Sequence, residues 1–210
     1  MFYLYLNFKK EKIKSYIVEF TGTLILVLVI GLTSNPIAIG SIITVLVYTG
    51  IHISGAHYNP AVSIAMILRG LLSPKEAIIY IFSQLSGALV ASLIVFWIDG
   101  ALIIIDSSSS IFQILSIEFF FTFILIIVIL YVATDKRTEG NFYYGIAIGF
   151  TIMLASFAEG LYNPAVGAGP ILIDTVMGNG NTLPNLWYYL VGPISGAILA
   201  TYVYKLIMDE

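Results

Sequence analysis

Long apolar runs alternate with short polar breaks along the whole chain. The runs cover residues 13–32, 37–54, 75–98, 111–133, 142–157 and 186–207. A helix rises ~1.5 Å per residue, so about 20 apolar residues cross the ~30 Å hydrocarbon core of a bilayer. The pattern predicts six transmembrane helices. Ser73 and Pro74 suit the N-cap and first turn of the third. The breaks between runs are the tetrad Thr33-Ser34-Asn35-Pro36, the Asp99-Gly100 and 106–110 connection, the charged turn 135–140 and the Gly/Asn-rich loop 178–185.

Two stretches break the pattern differently. Residues 52–66 read H-I-S-G-A-H-Y-N-P-A-V-S-I-A-M and sit between two apolar runs. A lipid-facing segment does not hold so many polar groups, because each one left unsatisfied in hydrocarbon costs several kcal/mol. Asn59 is a good N-cap and Pro60 suits the first helical position, where its missing N–H is not needed. The helix that follows, 60–69, covers roughly half of the ~30 Å core. The prediction is a re-entrant half-helix, entered through extended Gly55-Ala56-His57-Tyr58, with its free N–H groups and Asn59 at the membrane midplane. Residues 158–170 carry a second copy, Tyr162-Asn163-Pro164-Ala165, followed by a short apolar piece to about residue 173.

The chain therefore repeats itself: span, span, Asn-Pro-Ala half-helix, span, twice over 13–98 and 111–207. Each half opens with a glutamate inside its first span, Glu19 and Glu118. Each closes with a small-residue face, Ser86-Gly87-Ala88 and Ser195-Gly196-Ala197. An odd number of spans per half inverts the second copy, and inverted repeats with broken helices put their shared site at the midplane. The expected architecture is one all-α transmembrane domain over 1–210, with six spans and two half-helices.

Charge placement orients it. All nine Lys and Arg fall in the tail 1–14, at Arg69 and Lys75, at Lys136 and Arg137, and at Lys205. Six spans put every one of these segments on one side, which the positive-inside rule makes cytoplasmic. The opposite loops hold Asp99, Asp106 and Asp174 and no positive charge. A composition 59% hydrophobic and only 10% charged fits no ordinary soluble domain. The absence of cysteine excludes a disulfide framework, a zinc–thiolate site and a cysteine nucleophile. The first run is long enough to stay as a span, so no cleavable signal peptide is expected.

With both copies in view, the chain resembles the aquaporin or major intrinsic protein family over almost its whole length. The resemblance is carried by Glu19-Phe20-Thr21-Gly22-Thr23, His52 through Val62, Gln84-Leu85-Ser86-Gly87-Ala88, Glu118 with Thr122-Phe123, Asn163-Pro164-Ala165 with Gly169-Pro170, and Val191-Gly192-Pro193 with Gly196-Ala197. It implies six tilted helices and two half-helices around one pore per subunit, usually in a homotetramer. The family usually follows its second Asn-Pro-Ala with an arginine that forms the outer constriction, whereas Val166 stands here. The family's aromatic filter residue in the second span aligns with Ile39. Its fifth-span partner aligns with Thr151 or Ile152, and Gly160 matches the remaining filter position.

The expected chemistry follows. Asn59 and Asn163 would offer amide donors to water where two half-helix N-termini, each about half a positive charge, meet and repel cations. The carbonyls of Gly55, Ala56 and His57, and of Glu159, Gly160 and Leu161, would form a polar ladder, since irregular backbone is tolerated at membrane depth where it lines water. Glu19 and Glu118 could relay protons. The family pattern instead makes them braces that accept loop N–H groups, with His57 bracing its own loop. His52 reads as a structural histidine or a sensor at the cytoplasmic mouth. His52 and His57 lack a third ligand, so no metal is expected, and no cofactor. Glu159 stands near the missing arginine, either bonded within its loop or acting on cations and solutes. Trp187-Tyr188-Tyr189 reads as packing or interfacial belt. Phe150 or Phe157 could refill the widened filter. The expected function is a passive channel in the cell membrane for water and small neutral solutes such as glycerol, urea, ammonia or hydrogen peroxide. The alternative is a secondary transporter, disfavoured because no span carries an ionisable residue beyond the paired glutamates. An enzyme is not expected, since no nucleophile–base pair or metal trio appears.

Overall fold

Asparagine or serine followed by proline starts four of the helices. Asn35, Ser73, Asn59 and Asn163 each accept a backbone N–H of the first turn, and Pro36, Pro74, Pro60 and Pro164 hold the first turn itself. The structure, a computed structural model, describes residues 2–100, 103 and 110–208, with side chains from residue 12 onward. Among these residues the chain forms α1 (Phe2–Thr33), α2 (Pro36–Ser54), α3 (Pro60–Arg69), α4 (Pro74–Asp99), α5 (Ile111–Ile129), α6 (Tyr144–Ser156), α7 (Pro164–Met177) and α8 (Tyr188–Met208), and no strand. The Asp106 part of the polar connection lies outside the described residues.

Three differences from the sequence pattern stand out. The helix of the first span begins at Phe2 and runs through what reads as a short lysine-bearing tail. Helix α5 continues as a π-helical turn, Leu130–Thr134. The fifth span, read as 142–157, contains only 13 helical residues. At ~1.5 Å per residue α6 falls well short of the ~30 Å core. Both of its ends explain this. Asn141 Nδ2 donates to the carbonyls of Val132 and Thr138, which fixes a tight turn before the helix. Beyond Ser156 the chain unwinds into irregular backbone that reaches a positive φ at Glu159. Five helical segments are therefore long and apolar enough to cross a membrane, and α3, α6 and α7 are the shorter apolar helices.

The two halves pack by one scheme. Helix α1 lies along α4, and α5 lies along α8. Gly87 of α4 meets the backbone of α1 at Phe20, and Gly196 of α8 meets α5 at Phe119. A Cβ on either glycine would strike that carbonyl oxygen. The small-residue faces thus bring the helix backbones into direct contact. Helix α2 packs on α6 and joins the halves. The bundle exposes large apolar side chains and buries its two intramembrane glutamates. Trp97 and Phe112 are 85% and 81% exposed, whereas Glu19 and Glu118 are 0% and 1% exposed. That inversion suits a hydrocarbon surrounding, and the chain is a multi-pass membrane protein.

Candidate conduction pathway

The half-helices α3 and α7 meet at their N-termini through reciprocal bonds. Asn59 Nδ2 donates to the Tyr162 carbonyl at 2.8 Å, and Asn163 Nδ2 donates to the Tyr58 carbonyl at 2.8 Å. Each Oδ1 is taken by its own helix, from Ala61 N at 2.8 Å and Ala165 N at 3.0 Å. An asparagine amide has two N–H donors, so each residue keeps one beyond the loop bond. Both asparagines line the same cavity.

Buried carboxylates hold the extended segments that precede the half-helices. Glu19 accepts from Ser54 Oγ at 2.7 Å, His57 N at 2.9 Å, Tyr58 N at 2.7 Å and Gln84 Nε2 at 2.8 Å. Glu118 accepts from Leu161 N at 2.6 Å and Tyr162 N at 2.7 Å. His57 Nδ1 lies 3.0 Å from Ser63 Oγ, and its ring packs edge-on against Tyr80. Tyr58 and Tyr162 have φ values of 50 and 55, an uncommon conformation for bulky residues. Each is pinned at its ring end: Tyr58 OH donates to Leu46 O at 3.0 Å and Tyr162 OH to Ala155 O at 2.5 Å.

The cavity measures about 920 Å³ and is lined from both ends of the bundle. Leu71, Leu72, Glu76 and Thr134 border it near the termini, where Lys12 pairs with Glu76 at 2.7 Å and Arg69 lies over the Tyr204 ring. Ser34, Pro36, Glu159 and Tyr189 border it at the opposite end. The residues of both expected carbonyl ladders line it: Gly55, Ala56 and His57, and Glu159, Gly160 and Leu161. Its remaining wall is largely aliphatic, with Ile43, Val47, Val62 and Ile148 among the lining residues.

Of the residues expected at the filter, Ile39, Gly160 and Val166 line the cavity. On α6 it is Ile152, with Ile148 and Ser156, that lines the wall rather than Thr151. The Thr151 hydroxyl donates to the Ala147 carbonyl of its own helix at 2.8 Å. Phe150 and Phe157 are 56% and 63% exposed and do not refill this level, while Tyr189 does border it. The Tyr189 Cβ packs where a side chain on Gly167 would stand. The sequence reads this ring as packing or interfacial belt, and the structure buries it, 5% exposed, in the packing beside Gly167. The signal that could find it is Gly167 directly after Val166, which makes room for a facing ring. His52 is exposed and lies outside the cavity wall. Among the described residues no group of His, Asp and Glu is arranged to hold a metal ion.

Comparison with known proteins places this geometry. A family model described as Major intrinsic protein matches residues 6–204. A protein named probable aquaporin NIP-type from Nicotiana alata is 38% identical over 80% of this chain, and the chain spans 63% of that relative's length. Glycerol uptake facilitator protein-like 6 from Lactiplantibacillus plantarum is 32% identical over 94% of this chain and 99% of its own. The X-ray structure of the aquaglyceroporin from Plasmodium falciparum superposes with a TM-score of 0.79, covering 94% of this chain and 97% of that one at 20% identity.

Proposed function

The chain belongs to the major intrinsic protein family, and from that premise we propose that it forms a passive transmembrane channel for water and small neutral solutes. One observation carries the reading: Asn59 and Asn163 are cross-tied to the opposite half's loop and line a single cavity. Each has an amide proton beyond its loop bond, aimed from a helix N-terminus. Water passing between them accepts from both amides, so its own protons point away toward the two mouths. That orientation interrupts a proton wire, and the partial positive charge of two helix ends disfavours cations.

Solute choice rests on Ile39, Ile152, Gly160, Val166 and Tyr189. Arginine at position 166 would add a permanent charge, several donors and a long side chain, and valine removes all three. The proposed pore therefore admits solutes such as glycerol or urea alongside water. Thr151 is left out of the proposed filter, because Ile152 occupies the wall. Assembly as a homotetramer in the cell membrane, with both termini cytoplasmic, belongs to the same proposal. The orientation is supported by the cation-rich end formed by Lys12, Arg69 and Arg137 and the lack of Lys or Arg in residues 76–135 and 138–204.

Liposomes swelling in inward glycerol and urea gradients test the filter. Wild type is expected to pass both solutes, and Val166→Arg to reduce solute flux more than water flux. A wild type that passes water but neither solute, with Val166→Arg unchanged, contradicts the wide filter.

A further inference from the structure

Glu159 is the charged residue at the filter end, and its side chain has no part in this scheme. It adopts φ 61, a left-handed conformation. The first half places Gly55, with φ 86, at the same distance before its Asn-Pro-Ala. Glycine enters this region without a steric penalty, whereas a residue with a Cβ is disfavoured there. Strain retained beside a site points to a use for the side chain that bears it.

The side chain is also unpaired. Glu159 lines the cavity at the end away from the termini, where it is exposed, and among the described residues no hydrogen bond or ion pair engages its side chain. The other carboxylate on the wall, Glu76, is tied to Lys12 at 2.7 Å and to Ser73 at 2.8 Å. No Lys or Arg follows Arg137 until Lys205, so the second half supplies no cation at the Glu159 end. Beside Glu159 the wall is lined by Gly160, Leu161 and the apolar Val166. An ionised carboxylate only accepts hydrogen bonds, as carbonyls do. This end of the cavity is therefore rich in hydrogen-bond acceptors.

We propose that Glu159 is a specificity-determining residue whose carboxylate recruits small solutes carrying several N–H donors, in preference to polyols. A polyol brings a lone-pair oxygen with every hydroxyl it donates. Urea, which is neutral, presents four N–H donors against a single carbonyl acceptor, and so matches an acceptor-rich surface better than a polyol does. The inference rests on the channel reading above and names the solute class that its filter favours.

The full-length chain in liposomes tests it, with fluxes of urea and glycerol measured for wild type, Glu159→Gln and Glu159→Gly. The readout is the ratio of urea to glycerol flux, which a general loss of conduction does not move. Both variants are expected to lower the ratio by about tenfold, the scale of one charge-assisted hydrogen bond. Glu159→Gly also relieves the backbone strain, so its melting temperature is expected to rise while the ratio falls. An unchanged ratio overturns the proposal while leaving the channel intact. Wild-type liposomes no faster than protein-free ones for water and every solute overturn the channel reading and this inference together.

Discussion

Asn59 and Tyr162 are joined across the two halves of the molecule by a 2.8 Å hydrogen bond, and Asn163 and Tyr58 repeat it in the other direction. The same asparagines cap α3 and α7. One residue type thus ends the extended segment, starts the half-helix and locks it to its counterpart.

Separating these roles gives the first prediction. Asn59→Ala and Asn163→Ala each lose a cap and leave a buried carbonyl unpaired, effects of ~1 kcal/mol and ~1–3 kcal/mol. Each should lower the melting temperature in detergent and reduce water flux. Asn59→Asp keeps the cap but sets a carboxylate oxygen against the Tyr162 carbonyl. It should be no more stable than the alanine variant, and a melting temperature equal to wild type contradicts the role of the cross-tie.

The two buried glutamates are unequal. Glu19 accepts four hydrogen bonds, two of them from the side chains of Ser54 and Gln84, and Glu118 accepts two, both from backbone. Orphaning a buried donor costs ~1–3 kcal/mol. Glu19→Ala should therefore be several kcal/mol less stable than wild type, and Glu118→Ala intermediate. Chemical denaturation of both variants in one detergent checks the order, and the reverse order contradicts it.

The repeat, the duplicated Asn-Pro-Ala and the paired glutamates were legible in the sequence because each rests on local rules: apolar run length, N-capping and the cost of a carboxylate in hydrocarbon. What escaped depends on rotation about a helix axis or on a single residue of loop. Thr151 and Ile152 are neighbours, and only the packed α6 shows that Ile152 lines the wall. Tyr189 follows two other aromatics and reads as packing or belt alike, and its place at the cavity emerges only from the space that Gly167 leaves for it. The shortness of α6 follows from bonds made by Asn141 to Val132 and Thr138, which no periodicity reveals.

Helix contact at Gly87 and Gly196 predicts a steric asymmetry between these and other small residues. A larger side chain at either site must push two backbones apart, and overpacking typically costs ~1–3 kcal/mol. Gly87→Val and Gly196→Val should both impair folding and yield. Ser86→Val, one residue away on a partly buried face, should be tolerated much better. Comparable losses for all three in a thermal assay would argue against direct backbone contact.

Asp135 sets an acid limit at the turn between α5 and α6. The Arg137 guanidinium, and then the Arg137 N–H at 2.9 Å, hold its carboxyl well below the ordinary carboxylate range. A depressed folded value means that the stabilisation is complete above the unfolded value near ~4 and is lost as pH falls through the folded one. Asp135→Asn should therefore lower the melting temperature between pH 5 and 8, by the guide of those values. The difference from wild type should shrink as the pH drops below ~4. A difference that grows on acidification contradicts this assignment.

The central claim is passive conduction along the cavity lined by Asn59 and Asn163. Stopped-flow shrinkage of liposomes holding the purified chain tests it most directly, run against protein-free liposomes with and without proton and sodium gradients. Conduction predicts water efflux well above the lipid background, proportional to the osmotic gradient, unsaturated, and indifferent to both ion gradients. It also predicts no thiol-reversible block by mercurials, since the chain has no cysteine. Efflux equal to the protein-free background, or a solute flux that saturates and follows an imposed ion gradient, would contradict it.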